Sequence, residues 1–209
     1  GLPMAFVLGI GGIAHLVAIN APEYFLIITQ RLFNGVNSFS LLCIPFFILA
    51  GELMNSGGIT QKLLNLAREG LGWIRGGMAY CCVILAMVLS AILGSANAVT
   101  AILCAILIKE MANDGYDEDF TGALIPASGV LGPIIPPSVT FIIYGVLTGV
   151  SVQKMFMAGI VPGLMLGLGY VCVILYFTKK RGYKKSKEKF DPKTFAKAFV
   201  EAIPALLVP

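Results

Sequence analysis

Two prolines in tandem, Pro136 and Pro137, interrupt a stretch otherwise apolar enough to cross a bilayer. Proline has no amide donor and clashes with the preceding turn, so no continuous helix runs through this point. Broken backbone in hydrocarbon leaves amides and carbonyls without water, and persists only where protein buries it or where it lines a cavity. A second interruption, Gly94, Ser95, Ala96 and Asn97, lies earlier in equally apolar sequence. Discontinuous helices in a membrane aim their free ends at substrates and ions, so the stretch from Gly94 to Ser138 is the candidate binding region.

Composition places the chain in a membrane. Of its 209 residues 57% are hydrophobic and only 12% are charged, a balance that marks an integral membrane protein. The net charge is +4, but eight of the fifteen Lys and Arg fall between Lys179 and Lys193, directly after an apolar run. That position points to a cytoplasmic loop facing lipid headgroups and not to nucleic acid. The five cysteines lie in apolar stretches without metal-ligand spacing and read as core residues. Gly1 to Ala5 carry neither a charged leader nor a cleavage site, and the apolar runs at both ends suit a piece of a longer protein.

Taken in order, Leu2 to Ile19 is the first span, with His15 inside it as a packing residue. Asn20 to Ser38 reads as an interfacial connection. Phe39 to Met54 is the second span, ending near Glu52, which is either a functional intramembrane acid or a helix-end carboxylate holding a neighbour. Ile59 to Ile74 has near-helical apolar spacing at low hydrophobicity and is expected in the membrane surface, with Trp73 at headgroup level. Met78 to Leu93 and Ala98 to Met111 are short arms about the Gly94 to Asn97 break, which predicts a re-entrant hairpin rather than two full spans.

Asn113 to Asp119 is acidic, and a solvated turn capping the next helix is expected there. Phe120 to Leu131 and Val139 to Val150 are the halves of a broken span around Gly132 to Ser138. Ser151 to Gly159 reads as a link, and Val161 to Phe177 as a span with small residues Gly163, Gly167 and Gly169 for close packing. The helix from Pro192 to Leu207 carries Phe195, Phe199 and Ile203 as its apolar stripe. With the loops at 56–76, 109–119 and 179–197 inside, thirteen Lys and Arg are cytoplasmic and two, Arg31 and Lys154, lie outside.

The two breaks can meet at mid-membrane. They would present the oxygens of Ser95, Asn97 and Ser138 with free carbonyls to sodium, and helix N-termini to an anion. That describes a sodium-coupled carrier of an acid. No phosphate-binding loop and no nucleophile with a general base is present, so neither ATP-driven transport nor an enzyme is indicated.

The run Ile44-Pro45-Phe46-Phe47-Ile48-Leu49-Ala50-Gly51-Glu52-Leu53-Met54-Asn55 continues through Gly57, Gly58 and Ile59. Gly94-Ser95-Ala96, Gly115-Tyr116, Gly132 with Ile135-Pro136-Pro137-Ser138, and Phe156, Ala158-Gly159-Ile160, Pro162-Gly163 follow in order. These motifs together resemble the large membrane (M, DctM-like) subunit of tripartite ATP-independent periplasmic (TRAP) transporters. The resemblance implies an all-α integral membrane protein of the elevator type, with a re-entrant helical hairpin and a broken transmembrane helix, built from two inverted repeats of which this chain is the first.

It further implies sodium-driven uptake of a carboxylate, such as a C4-dicarboxylate or sugar acid, across a bacterial inner membrane. A small membrane (Q) subunit and a periplasmic substrate-binding protein would be the partners, with sodium the coupling ion and no other cofactor. A sodium-dicarboxylate symporter without a binding protein is the neighbouring alternative. Ion and substrate binding map onto Gly94, Ser95, Asn97, Gly132, Pro136, Pro137 and Ser138. The implied layout is scaffold helices over 1–58, an interfacial helix over 59–76 and a transport-domain half over 77–150, with its hairpin at 77–112 and broken helix at 117–150. A transmembrane helix over 151–178 and a basic loop with a connecting arm over 179–209 complete it. Relatives often carry serine before the tip glycine and an acid four residues after the tip serine, where this chain has Leu93 and Val99.

Overall fold

A computed structural model describes residues 2–183 and 191–206, and every regular element among them is helical. The chain divides into two compact units, residues 1–41 and 42–209. The first contains α1 (Met4–Ala18) and α2 (Tyr24–Val36), which pack on each other. The expected connection at Asn20 to Ser38 is thus largely helical.

A 3-10 turn (Phe39–Leu42) spans the boundary, and the second unit's first α-helix is α3 (Cys43–Ser56). Pro45 falls in the first turn of α3, where a missing N–H breaks no helical bond. Next come α4 (Ile59–Leu71), α5 (Gly77–Leu93), α6 (Ala96–Asn113), α7 (Glu118–Gly129), α8 (Val139–Thr148), α9 (Val152–Arg181) and α10 (Pro192–Leu206). Among the described residues three segments are long and apolar enough to cross a membrane: Phe39–Ser56, Ala96–Asn113 and Val152–Arg181.

At the centre of this unit lies α5, packed against α3, α4, α6, α7 and α9. A helix apolar on every face needs neighbours on every face, and Met78, Cys81, Cys82, Val83 and Leu89 are all buried. The inner stripe of α6 is Val99, Leu103, Leu107 and Met111, spaced every fourth residue so that one face meets α5 and α7. An Arg68–Glu110 ion pair of 2.7 Å ties α4 to α6. Both side chains are partly solvated, which limits the pair to about 1 kcal/mol or less.

Several expectations change in detail. The apolar stripe of α4, with Leu63, Leu64 and Ala67 buried, faces α5 and α10, so protein covers it. The indole N–H of Trp73 donates to the Gly70 carbonyl at 2.8 Å. On α10 the residues turned inward are Ala198 and Ala202, with Phe195 over Gly70, while Phe199 and Ile203 stay exposed. Small residues let α10 approach α4 more closely than the expected phenylalanine stripe would.

The supposed link at Ser151 to Gly159 is the start of α9, a single helix of 30 residues with Pro162 inside it. At 1.5 Å per residue it runs about 45 Å. The hairpin arms have 17 and 18 residues because the break between them is only Gly94 and Ser95. Lys184 to Phe190, with half of the basic run's Lys and Arg, and Leu207 at the end of the last expected helix lie outside the described residues.

The acidic turn is exposed as expected, but it does not cap α7 as expected. Asp117 occupies the position before α7, but its carboxylate makes no cap bond. Instead Arg181 at the end of α9 donates to Asp117 at 2.6 Å and to Asp119 at 2.9 Å, and the Tyr183 hydroxyl donates to Asp117 at 2.9 Å. Beneath this clasp Tyr116 and Tyr183 rings meet at 4.6 Å, with Phe120 and Phe177 at 5.6 Å.

Hydrogen bonds from Arg181, joined at Asp117 by Tyr183, hold both carboxyls below the ordinary carboxylate range. A depressed folded-state pKa stabilises above the unfolded value and is lost on acidification. Arg181→Ala is therefore expected to lower the melting temperature of the detergent-solubilised protein at pH 7. The gap to the parent should close as the pH falls below about 4, which a pH series of melting curves measures.

Candidate functional site

The two breaks meet backbone to backbone. Gly94 ends α5 in the left-handed region at φ +58, where a side chain is strained, and its N–H donates to the Ser90 carbonyl. Ser95 is extended and precedes α6. On the other side, α7 unwinds after Gly129 through turns at Leu131, Gly132 and Ile134, then through the cis Pro136–Pro137 bond to Ser138. A Cβ on Gly94 would lie 2.9 Å from the Pro137 oxygen, and one on Gly132 would lie 2.7 Å from the Ala96 nitrogen. Nothing larger than glycine fits either place.

Ser138 holds the loop in shape. Its hydroxyl donates to the Pro133 carbonyl at 2.7 Å and accepts from the Phe141 amide at 3.3 Å, capping α8. The loop rests on α9, where Gly159, Gly163 and Gly167 recur every fourth residue. Cβ atoms at Gly159 and Gly163 would meet the Ile134 oxygen at 2.6 Å and Ile135 Cγ1 at 2.8 Å. Gly169, expected on that face, looks into open space, and Gly159 takes its place one turn before Gly163.

Beside the junction is a cavity of about 530 Å³. Leu93 to Ala98 form one wall and Pro133, Val139 and Thr140 another, while Ile48 and Glu52 of α3 close it. Of the expected residues, Gly94, Ser95 and Asn97 line this cavity. Gly132 and Pro137 hold the two breaks together instead, and Ser138 is fully buried as the brace just described. Pro136 faces a second, apolar cavity of about 380 Å³ with Met87, Ile135 and Leu164.

Thr140 was not foreseen, although a hydroxyl in the first turn of a helix following a break is a readable signal. Glu52, an exposed carboxylate on α3, lines the cavity. Leu93 packs on Gly51 of α3, and Val99 is fully buried; as hydrocarbon side chains, neither offers a side-chain oxygen.

Two helix N-termini end at this cavity, those of α6 and α8. The first amides of any helix lack internal acceptors, and each N-terminus carries roughly half a positive charge. Ser138 caps α8, whereas the Ser95 hydroxyl caps nothing. The first amides of α6, Ala96 to Ala98, are thus less satisfied than those of α8. Among the described residues no group of three His, Cys, Asp or Glu is placed to hold a metal. The oxygens at hand are one carboxylate and neutral groups, which suits a singly charged cation better than a divalent one.

Residues 1–209 match the family described as the tripartite ATP-independent periplasmic transporter, DctM component. The chain belongs to this family. It is 41% identical over 210 residues to the isethionate TRAP transporter permease protein DctMQ of Oleidesulfovibrio alaskensis, covering all of this chain and 33% of that protein. It is 39% identical to the 2,3-diketo-L-gulonate TRAP transporter large permease protein YiaN of Escherichia coli, and 35% identical to the sialic acid TRAP transporter large permease protein SiaM of Vibrio cholerae. Each match covers all of this chain, and 49% and 48% of those relatives. The DctM-family chain spans about half the length of the large permeases it matches, and a third of DctMQ. The family is one of transporter permeases, not enzymes.

The glycine contact yields a direct test. Gly132→Ala is expected to force the hairpin turn away from the loop at a cost of about 1–3 kcal/mol. Thermal unfolding in detergent should show the loss, whereas Gly169→Ala, inside α9 and facing open space, should melt at or slightly above the parent.

Proposed function

We propose that this chain is the first-repeat half of an elevator-type secondary carrier that takes up a small carboxylate across a bacterial inner membrane, with sodium as coupling ion. The observation that carries the reading is the cavity where two helix N-termini and two backbone breaks converge, in a chain of the DctM family. The α6 and α8 N-termini receive the substrate carboxylate. The Ser95 hydroxyl, the Asn97 side-chain oxygen and nearby carbonyls take sodium, with Gly94, Gly132, Pro136, Pro137 and Ser138 shaping the site. Isethionate, 2,3-diketo-L-gulonate and sialic acid, named for the relatives, are all organic anions.

The α5–α6 hairpin is re-entrant in this reading. Its turn touches the loop midway between the start of α7 and the end of α8, so a broken span formed by α7 and α8 puts the turn near mid-membrane. Residues 1–58 serve as scaffold, 59–76 as an interfacial helix, 77–150 as half of the transport domain, and 151–178 as a transmembrane helix. The basic loop at 179–193 faces the cytoplasm, and the arm that follows leads to a second repeat. Exposed apolar residues such as Phe46, Leu147 and Met165 meet lipid. A periplasmic binding protein delivers the substrate, and a small membrane subunit accompanies the large one.

Uptake of labelled carboxylates into proteoliposomes, using the complete large subunit with its partners, tests the reading. Uptake should require an inward sodium gradient, and Ser95→Ala should raise the half-saturating sodium concentration. Ser138→Ala should instead lower stability by about 1 kcal/mol through loss of the cap. Uptake indifferent to sodium would sink the coupling.

A further inference from the structure

The apolar cavity behind the proline loop is separate from the space where the two helix N-termini end. Met87 and Ala91 of α5, Ile135 and Pro136 of the loop, and Ile160 and Leu164 of α9 line its space of about 380 Å³, and every side chain of the lining is hydrocarbon or thioether. A cavity of this kind stays dry or takes an apolar guest. Its mouth is on the outer face of α9, where Ile160 and Leu164 are 42% and 51% exposed. Pro133, in the same loop as Pro136, lines the larger cavity, so one loop separates the two spaces.

Along α9 the exposed side chains of Gln153, Met157, Ile160 and Leu164 recur at helical spacing, one stripe running from the polar start of the helix to the cavity mouth. Lys154, also exposed, places a positive charge at the head of that stripe. At 1.5 Å per residue, Ile160 and Leu164 lie about 9 and 15 Å from Lys154 along the helix axis. The hydrocarbon of one leaflet is about 15 Å deep. A lipid whose phosphate rests at Lys154 therefore has its tail at the level of the cavity. We propose that this groove binds an anionic phospholipid, with the phosphate at Lys154 and one acyl chain in the cavity against Pro136. The lining offers nothing to a polar guest, and the cation at the head of the stripe selects an anionic headgroup. The bound chain fills the space behind Ile135 and Pro136 and braces the proline loop from the side away from the larger cavity.

The test uses the complete transporter with its partner proteins, in proteoliposomes containing phosphatidylglycerol with a photoreactive diazirine in its acyl chain. Illumination should label the segments Met87 to Ala91 and Ile160 to Leu164. Ala91→Leu, which fills the cavity, should bring that labelling to background. In lipid-stripped detergent the same variant should melt at or above the parent, because leucine takes the place of the chain, and added phosphatidylglycerol should stabilise the parent more than the variant. Lys154→Gln is expected to reduce the preference for phosphatidylglycerol over phosphatidylethanolamine about fivefold. Labelling that persists in Ala91→Leu overturns the proposal. So does a parent labelled at neither segment, since another part of the transporter then covers the groove. A lipid preference unchanged in Lys154→Gln overturns the headgroup assignment and the proposal with it. Should Ala91→Leu aggregate, the parent's labelling map and Lys154→Gln, at an exposed position, decide the question.

Discussion

Two stretches of backbone lie against each other with no side chain between them, and the site depends on that contact. The Gly94 turn meets the Pro137 carbonyl, and Gly132 meets the start of α6, at distances that exclude even a methyl group. Side chains are the usual spacers between helices, so their absence brings polar main-chain atoms from two distant segments to one place. Protein burial then replaces the water such atoms would otherwise need.

The surrounding helices serve that contact. An α5 buried on nearly all sides carries the turn at its end. The stripe on α6 fixes the rotation of the outgoing arm, and Gly159 and Gly163 of α9 make a trough for the loop. Ser138 gives the loop its shape by joining Pro133 to the first turn of α8. The cavity is the space these constraints leave, and its chemistry is an uncapped helix end opposite a lone acid.

The breaks were legible because proline and glycine act through their own backbone, whatever surrounds them. Apolar periodicity likewise located the helices of the second unit. Contacts between segments were not legible. Nothing near Glu52 in sequence shows that α3 ends beside Ser95, and nothing near Ser138 shows that Pro133 will occupy its hydroxyl. Asp117 looks locally like a helix cap, and the Arg181 that takes its carboxylate is far along the chain. Pro162 concealed the continuity of α9, and with it the place of Gly159 on the packing face. On α10 large apolar residues stood out in sequence, whereas alanines make the closer interface with α4.

The continuity of α9 has a mechanical meaning. One end of it is gripped by carboxylates at the α6–α7 turn, and its earlier half cradles the proline loop through Gly159 and Gly163. An unbroken helix transmits displacement along its axis far better than a jointed one. The loop beside the cavity and the clasp at the far end of α9 are therefore two points on one rod, and neither can shift along that axis without carrying the other.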